Sequence, residues 1–137
     1  MALLDDIGNA LITAGLVTTG AGDWKLMFGY LHDAPDRAVA IFEAPGGAPE
    51  QRWAIDYPDF QIQVRGKEND YPAVRAKLQA IFDLLHAGDV EINTTVSPQT
   101  GTFVYVYAMS SGPVPLGSDE KRRPRLAQRY RTMKSRP

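Results

Sequence analysis

The chain has 137 residues, the size of one domain with a single core, and at 44% hydrophobic and 23% charged it has an ordinary globular composition. It contains no cysteine, which excludes disulfides, thiolate nucleophiles and cysteine metal sites, and no apolar run approaches the roughly 20 residues needed to cross a bilayer. The net charge of −1 hides a split: residues 1–120 carry 7 Lys/Arg against 16 Asp/Glu, a balance of −9, whereas residues 121–137 carry 8 Lys/Arg and no acid, a balance of +8.

The first turns, MALLDDIGNALITAGL, lack the basic region of a signal peptide, and Asp5 and Asp6 interrupt the apolar residues. Residues 3–16 read as a helix with Leu4, Ile7, Leu11 and Ala14 on one side. Gly8 weakens that helix by roughly 1 kcal/mol relative to Ala, so packing must hold it, and Gly15 is a natural stop. Trp24 to His32 reads as a strand, with Trp24, Leu26, Phe28 and Tyr30 opposite Lys25, Met27 and Leu31. Asp33 to Asp36 is a turn and Ala38 to Glu43 a second strand, a hairpin-like pair. Ala44 to Arg52, with two prolines and a Gly-Gly pair, reads as a loop, and Trp53 as an anchor in the core or at an interface.

The clearest unit runs from Asp59 to Gly88. Phe60, Ile62 and Val64 alternate with Gln61, Gln63 and Arg65, which predicts a half-wet strand. After a polar turn, Asp70 stands where an N-cap carboxylate accepts from the first turn, and Pro72 fits that turn. Tyr71, Val74, Leu78, Ile81 and Leu85 then form an apolar stripe on a helix that Gly88 ends.

Beyond the helix, residues 90–96 alternate as a strand, and Thr102 to Met109 is the strongest strand pattern in the chain. Its two faces, Phe103/Tyr105/Tyr107/Met109 and Val104/Val106/Ala108, both need cover, one from helices and one from another subunit or a second layer. Ser110 to Asp119 reads as a loop, and Arg125 to Met133 as a last strand, with a helix as the alternative. The order α-β-β-β-α-β-β-β predicts an α+β fold, a mostly antiparallel β-sheet with two helices packed on one face. Residues 1–120 form the single domain, and 121–137 a basic C-terminal strand or extension of it.

Chemistry is sparse. His32 and His86 have no nucleophile or acid beside them, there is no phosphate-binding glycine loop, and Gly20-Ala-Gly22 precedes a strand, the wrong context for a dinucleotide turn. The acid pairs Asp5/Asp6, Asp33/Asp36 and Asp56/Asp59 lack the alternating ligands of a calcium loop and read as solvated surface. No catalytic, cofactor or metal residue is assigned. The basic run leaves three readings: a contact with acidic surface on a partner or a second copy, a face near nucleic acid, or a solvated tail. Lys121, Arg122, Arg123, Arg125, Arg129, Arg131 and Trp53 are the candidate contact residues.

The strand FQIQVRG, the short turn with its Asp-Tyr pair and the amphipathic helix resemble a family of tailed-bacteriophage proteins, the minor capsid or tail-terminator (tail-completion) proteins. The order of parts, ending on RRPRLAQRYRTM, extends the resemblance over most of the chain. It implies a non-enzymatic structural protein of the virion tail and neck, assembled in the host cytoplasm. Its expected partners are copies of itself in a six-fold ring, the tail-tube protein and a neck or connector protein, with DNA passing through the lumen unrecognised and no membrane. A stopper or other connector component, or a small nucleic-acid-binding module, is the alternative. A closed ring needs a head-to-tail contact, which an acidic body and a basic segment could form between copies. Removing 121–137 is then expected to impair assembly and leave the domain folded.

Overall fold

The computed structural model describes residues 2–20, 24–50, 55–86 and 103–135. Two helices and six strands run α1 (Ala2–Thr13), β1 (Lys25–Phe28), β2 (Ala38–Glu50), β3 (Ile55–Arg65), α2 (Tyr71–Leu85), β4 (Phe103–Ala108), β5 (Val114–Ser118) and β6 (Pro124–Ser135). The sheet order is β1-β2-β3-β6-β4, and β5 also pairs with β6. All pairings are antiparallel except β1 with β2, so the α+β expectation holds. The strand read at 90–96, the Gly88 helix stop and Trp53 lie outside the described residues.

Both helices cover one face of the sheet. Helix α1 buries Leu4, Ile7 and Leu11 among Leu26, Val39 and Ile41, while Ala14, expected inside, is exposed. The helix stops because Gly15 takes φ +76°, and the N–H groups of Gly15 and Leu16 return to the carbonyls of Ile12 and Leu11. Gly8 lies against β1: a Cβ there would stand 2.9 Å from Phe28 Cζ and 3.0 Å from Leu26 Cδ2. The lost helix propensity is exchanged for a closer approach of helix to strand.

Helix α2 buries Val74, Leu78, Ile81 and Leu85, four of the five stripe residues; Tyr71 is exposed. The stripe meets Phe60, Ile62 and Val64 of β3 and Leu126 and Tyr130 of β6. Phe60 and Tyr130, directly opposite in the ladder, stack with ring centroids 5.2 Å apart. Asp70 is the N-cap residue, yet its carboxylate makes no cap bond. It accepts instead from Arg37 and from the Lys67 N–H.

Three expectations change. First, β1 and β2 are neighbours but parallel, Lys25 to Phe28 pairing with Ala38 to Ile41. The link from Gly29 to Arg37 therefore crosses the sheet face opposite the helices, where Leu31 packs on Met27, Ala38 and Ala40. The chain leaves the strand early because Gly29 turns at φ +80°, and this puts Tyr30 in solvent. Secondly, the loop read from Ala44 is strand as far as Glu50. The ladder with β3 continues through two register shifts around Gly47. Gly46 is required there, since a Cβ would fall 2.2 Å from the Tyr57 carbonyl oxygen. Thirdly, the loop read at 110–119 contains β5, paired with the start of β6.

Strand β6, the basic segment, sits inside the sheet between β3 and β4. Its Leu126, Gln128, Tyr130 and Thr132 are buried on the helix side. Deleting 121–137 would remove an inner strand and part of the core, so the domain would not survive the truncation. The strand reading of this segment is right and the helix alternative is not.

Candidate partner interface

The alternation that buries Leu126 and Tyr130 sends Arg125, Arg129 and Arg131 to the other sheet face. There Arg131 stands directly across from Asp59, and Arg129 is its diagonal neighbour. Both guanidiniums donate to the one carboxylate: Arg131 Nε to Oδ1 at 2.7 Å, and Arg129 Nη2 to Oδ2 at 2.7 Å. The Asp59 side chain has no exposure although no helix among the described residues covers this face; the arginines themselves shield it. Burial opposes ionisation of Asp59, but the bonds from Arg131 and Arg129 together outweigh it and hold the carboxyl below its ordinary range.

At the far end of β6 the polarity is inverted. The Arg123 side chain is 6% exposed and gathers three carboxylates. Its Nε donates to Asp119 at 2.7 Å, Nη2 to Asp33 at 3.0 Å and Nη1 to Asp36 at 3.2 Å; Nη1 also reaches the Asp33 carbonyl at 2.6 Å. Burial disfavours the cation, yet Asp119 and then Asp33 and Asp36 raise its pKa. Asp119 also accepts from the backbone N–H groups of Lys121 and Arg123, which closes the turn before β6. Burial resists its ionisation, but the Arg123 backbone and guanidinium bonds prevail and lower its pKa. Beside it Lys121 pairs with Asp33 at 2.6 Å, and hydrogen bonds from Lys121 and then Arg123 lower the Asp33 pKa.

Arg65 completes this end. It lies across the ladder from Arg125, a like-charge pair. It turns away to donate to the carbonyls of His32, Pro35 and Asp36, pinning the Gly29–Arg37 crossover to the sheet. Burial and then Arg123 depress its pKa. On the helix side, Arg37 grips Asp70 through Nε and Nη2 and lies over the Trp24 ring, which Lys77 also approaches. These contacts tie the crossover to the start of α2.

The candidate residues thus divide. Arg123, Arg129 and Arg131 meet acids of their own chain, and Arg125 is half-buried with Nη2 donating to the Leu116 carbonyl. Lys121 and Arg122 are the outward ones; Arg122 stands 4.0 Å from Glu68. They border a shallow cleft of about 440 Å³ shared with Asp36, Glu68 and Glu120. Asp33, Asp36 and Asp59 are not merely solvated acids but the counter-charges of β6. His86 serves structure: its Nδ1 accepts from the Ala108 N–H at 2.8 Å. Among the described residues no cluster of acids or histidines could hold a metal, and no helix is long and apolar enough to cross a membrane.

A model of the bacteriophage tail terminator protein family matches residues 10–130, from within α1 to the middle of β6. The chain belongs to this family. Tail-terminator membership makes it a structural protein of a phage-like particle and a virion component. The fold agrees: a chain of the virion of a native gene transfer agent particle superposes with a TM-score of 0.63 at 16% identity, over 96% of this chain and 93% of that one. No curated protein matches the sequence.

Proposed function

We propose that this tail-terminator family member forms a ring that caps the head-proximal end of the tail tube and joins it to the neck. It acts by occupying surface, not by catalysis. Six copies, the tube protein and a neck protein are its partners, and DNA passes the lumen without base recognition. Assembly takes place in the host cytoplasm. The observation that carries the reading is the family match across nearly the whole chain. The architecture supports it: helices cover one sheet face and leave the other as a second, chemically different surface. Such a chain meets its copies head to tail, the contact a ring requires. Lys121 and Arg122, exposed at one end, are the outward cations for a neighbour's acids.

The in-chain pairing weighs against a nucleic-acid-binding module, because Arg123 is enclosed by three acids and Arg129 and Arg131 share Asp59, which leaves one net positive charge at that pair, too little for a phosphate-tracking face. The test is electron microscopy of the purified protein alone and mixed with tail tubes. Rings with a central hole, or caps at one tube end, are expected. Protein that stays monomeric and ignores the tubes would overturn the assignment, and density elsewhere in the neck would move it to a connector role.

A further inference from the structure

The uncovered sheet face has a gradient across it. On the β1–β2 side the Gly29–Arg37 crossover lies over Met27, Ala38 and Ala40. On the β6–β4 side nothing among the described residues lies over it, and Tyr107, Met109 and Val114 are exposed by 41%, 41% and 51%. Tyr107 pairs with Arg131 and Val114 with Ala127, so both share the face of the β6 arginines. Among the described residues, three arginines of β6 stand on this face and Asp59 is the carboxylate between two of them. Exposed tyrosine and methionine beside arginine have the composition of a protein contact, and the surface is basic.

The complementary surface is on the same chain. Helix α1 carries Asp5 and Asp6 and no Lys or Arg. Its outward side shows Asp5, Asn9 and Ile12, the last 37% exposed. Helix α1 packs over β1 and β2 on the covered face. The two surfaces are therefore opposed twice, on opposite faces of the sheet and toward opposite edges. One molecule cannot join them. Two molecules can, and the join places them side by side with each copy's remaining surface still open, a head-to-tail contact of the kind a ring requires.

We infer that the Tyr107–Met109–Val114 patch with the adjoining β6 arginines is the docking surface for helix α1 of a second copy, with Ile12 against the aromatic patch and Asp5 toward the arginines. This rests on the ring reading and adds which faces meet. Charge sets the orientation of the contact and the apolar residues its persistence.

The native chain lacks cysteine, so a crosslink reports the contact directly. The full-length Asn9→Cys/Met109→Cys double variant, mixed with tail tubes and mildly oxidised, is expected to give a ladder of multiples of the chain mass. Each single variant should give none beyond a dimer. Adding Asp5→Lys to the double variant should reduce the ladder at low salt. The unmodified protein on the same tubes, viewed by electron microscopy, tests the ring on its own. Rings without a ladder overturn the face assignment and leave the ring standing. Efficient dimers from Met109→Cys alone overturn it as well, since the patch would then meet itself. Unmodified protein that caps no tubes overturns the ring reading and this inference together.

Discussion

The two ends of β6 solve one problem with opposite signs. At Asp59 a single carboxylate, with no exposed side-chain surface, holds two arginines that are 42% and 28% exposed. At Arg123 a single guanidinium, 6% exposed, holds three carboxylates, of which Asp33 and Asp36 are 68% and 53% exposed. In each the central charge is dry, and the outer charges are at least partly wet except Asp119, whose side chain is 18% exposed. The other outer groups remain partly hydrated, so the cost of burying the centre is spread over several hydrogen bonds. The difference lies in what each cluster joins. Asp59 locks neighbouring strands of one ladder. Arg123 joins the β5–β6 turn to the crossover between β1 and β2, segments about ninety residues apart in the chain.

Asp59→Ala tests this contrast most severely. It removes the shared centre and leaves Arg129 and Arg131 side by side over buried sheet, and is expected to cost about 3 kcal/mol in urea denaturation. Arg123→Met comes second, at about 2 kcal/mol, because two of the three carboxylates it abandons, Asp33 and Asp36, are largely open to water and can be rehydrated, while Asp119 keeps its backbone N–H donors. A larger loss at Arg123 than at Asp59 would reverse the assignment of which lock matters more for the sheet. The accompanying loss of protection should fall on 29–37 for Arg123→Met and on β3 and β6 for Asp59→Ala, read by amide hydrogen exchange.

Acid should act on both clusters in the same sense. The carboxyls of Asp59, Asp119 and Asp33 are all held below their ordinary range. The folded state therefore binds fewer protons than the unfolded one. Their stabilisation is complete above an ordinary carboxylate pKa of about 4 and is lost as pH falls through the lower folded values. Stability followed by circular dichroism should be level from neutral pH to about 5 and drop below about 4. The drop should be shallower in Asp59→Asn and Asp119→Asn, each of which removes one titrating partner.

The smallest effect is expected at the rim. Lys121→Ala breaks only the exposed pair with Asp33 and should leave the denaturation midpoint unchanged within error. Combined with Arg122→Ala it should instead weaken tube capping, most at low salt and less as salt screens the contact. A stability loss from Lys121→Ala would make the rim part of the lock and remove the distinction between the buried centre and its surroundings.

Much of this molecule is written in local periodicity. The alternation in Phe60–Val64 and the stripe Val74–Leu78–Ile81–Leu85 identify β3 and α2 because burial on one side enforces a period of two or of about four. The Phe103–Met109 pattern likewise foretold a face in need of cover, and Tyr107 and Met109 stand exposed there. Strand direction is not carried by alternation, which is why β1 and β2 read as a hairpin and are parallel. The segment from Ala44 to Glu50 reads as a loop because Gly and Pro are poor strand formers, yet pairing to β3 holds it in a ladder with shifts. The short β5 is strand only because β6 offers it a partner.

The sequence by itself determined the fold class, the main strand–helix unit, and the opposite charges of body and terminus, since these depend on residue type and spacing alone. Only the tertiary structure decided where the charges go. Residue separations of about seventy between Asp59 and its arginines, and about ninety between Asp33 and Arg123, are closed by sheet register and by the crossover. That geometry makes the basic segment an inner strand of the sheet and sets Arg123, Arg129 and Arg131 against acids of the same chain.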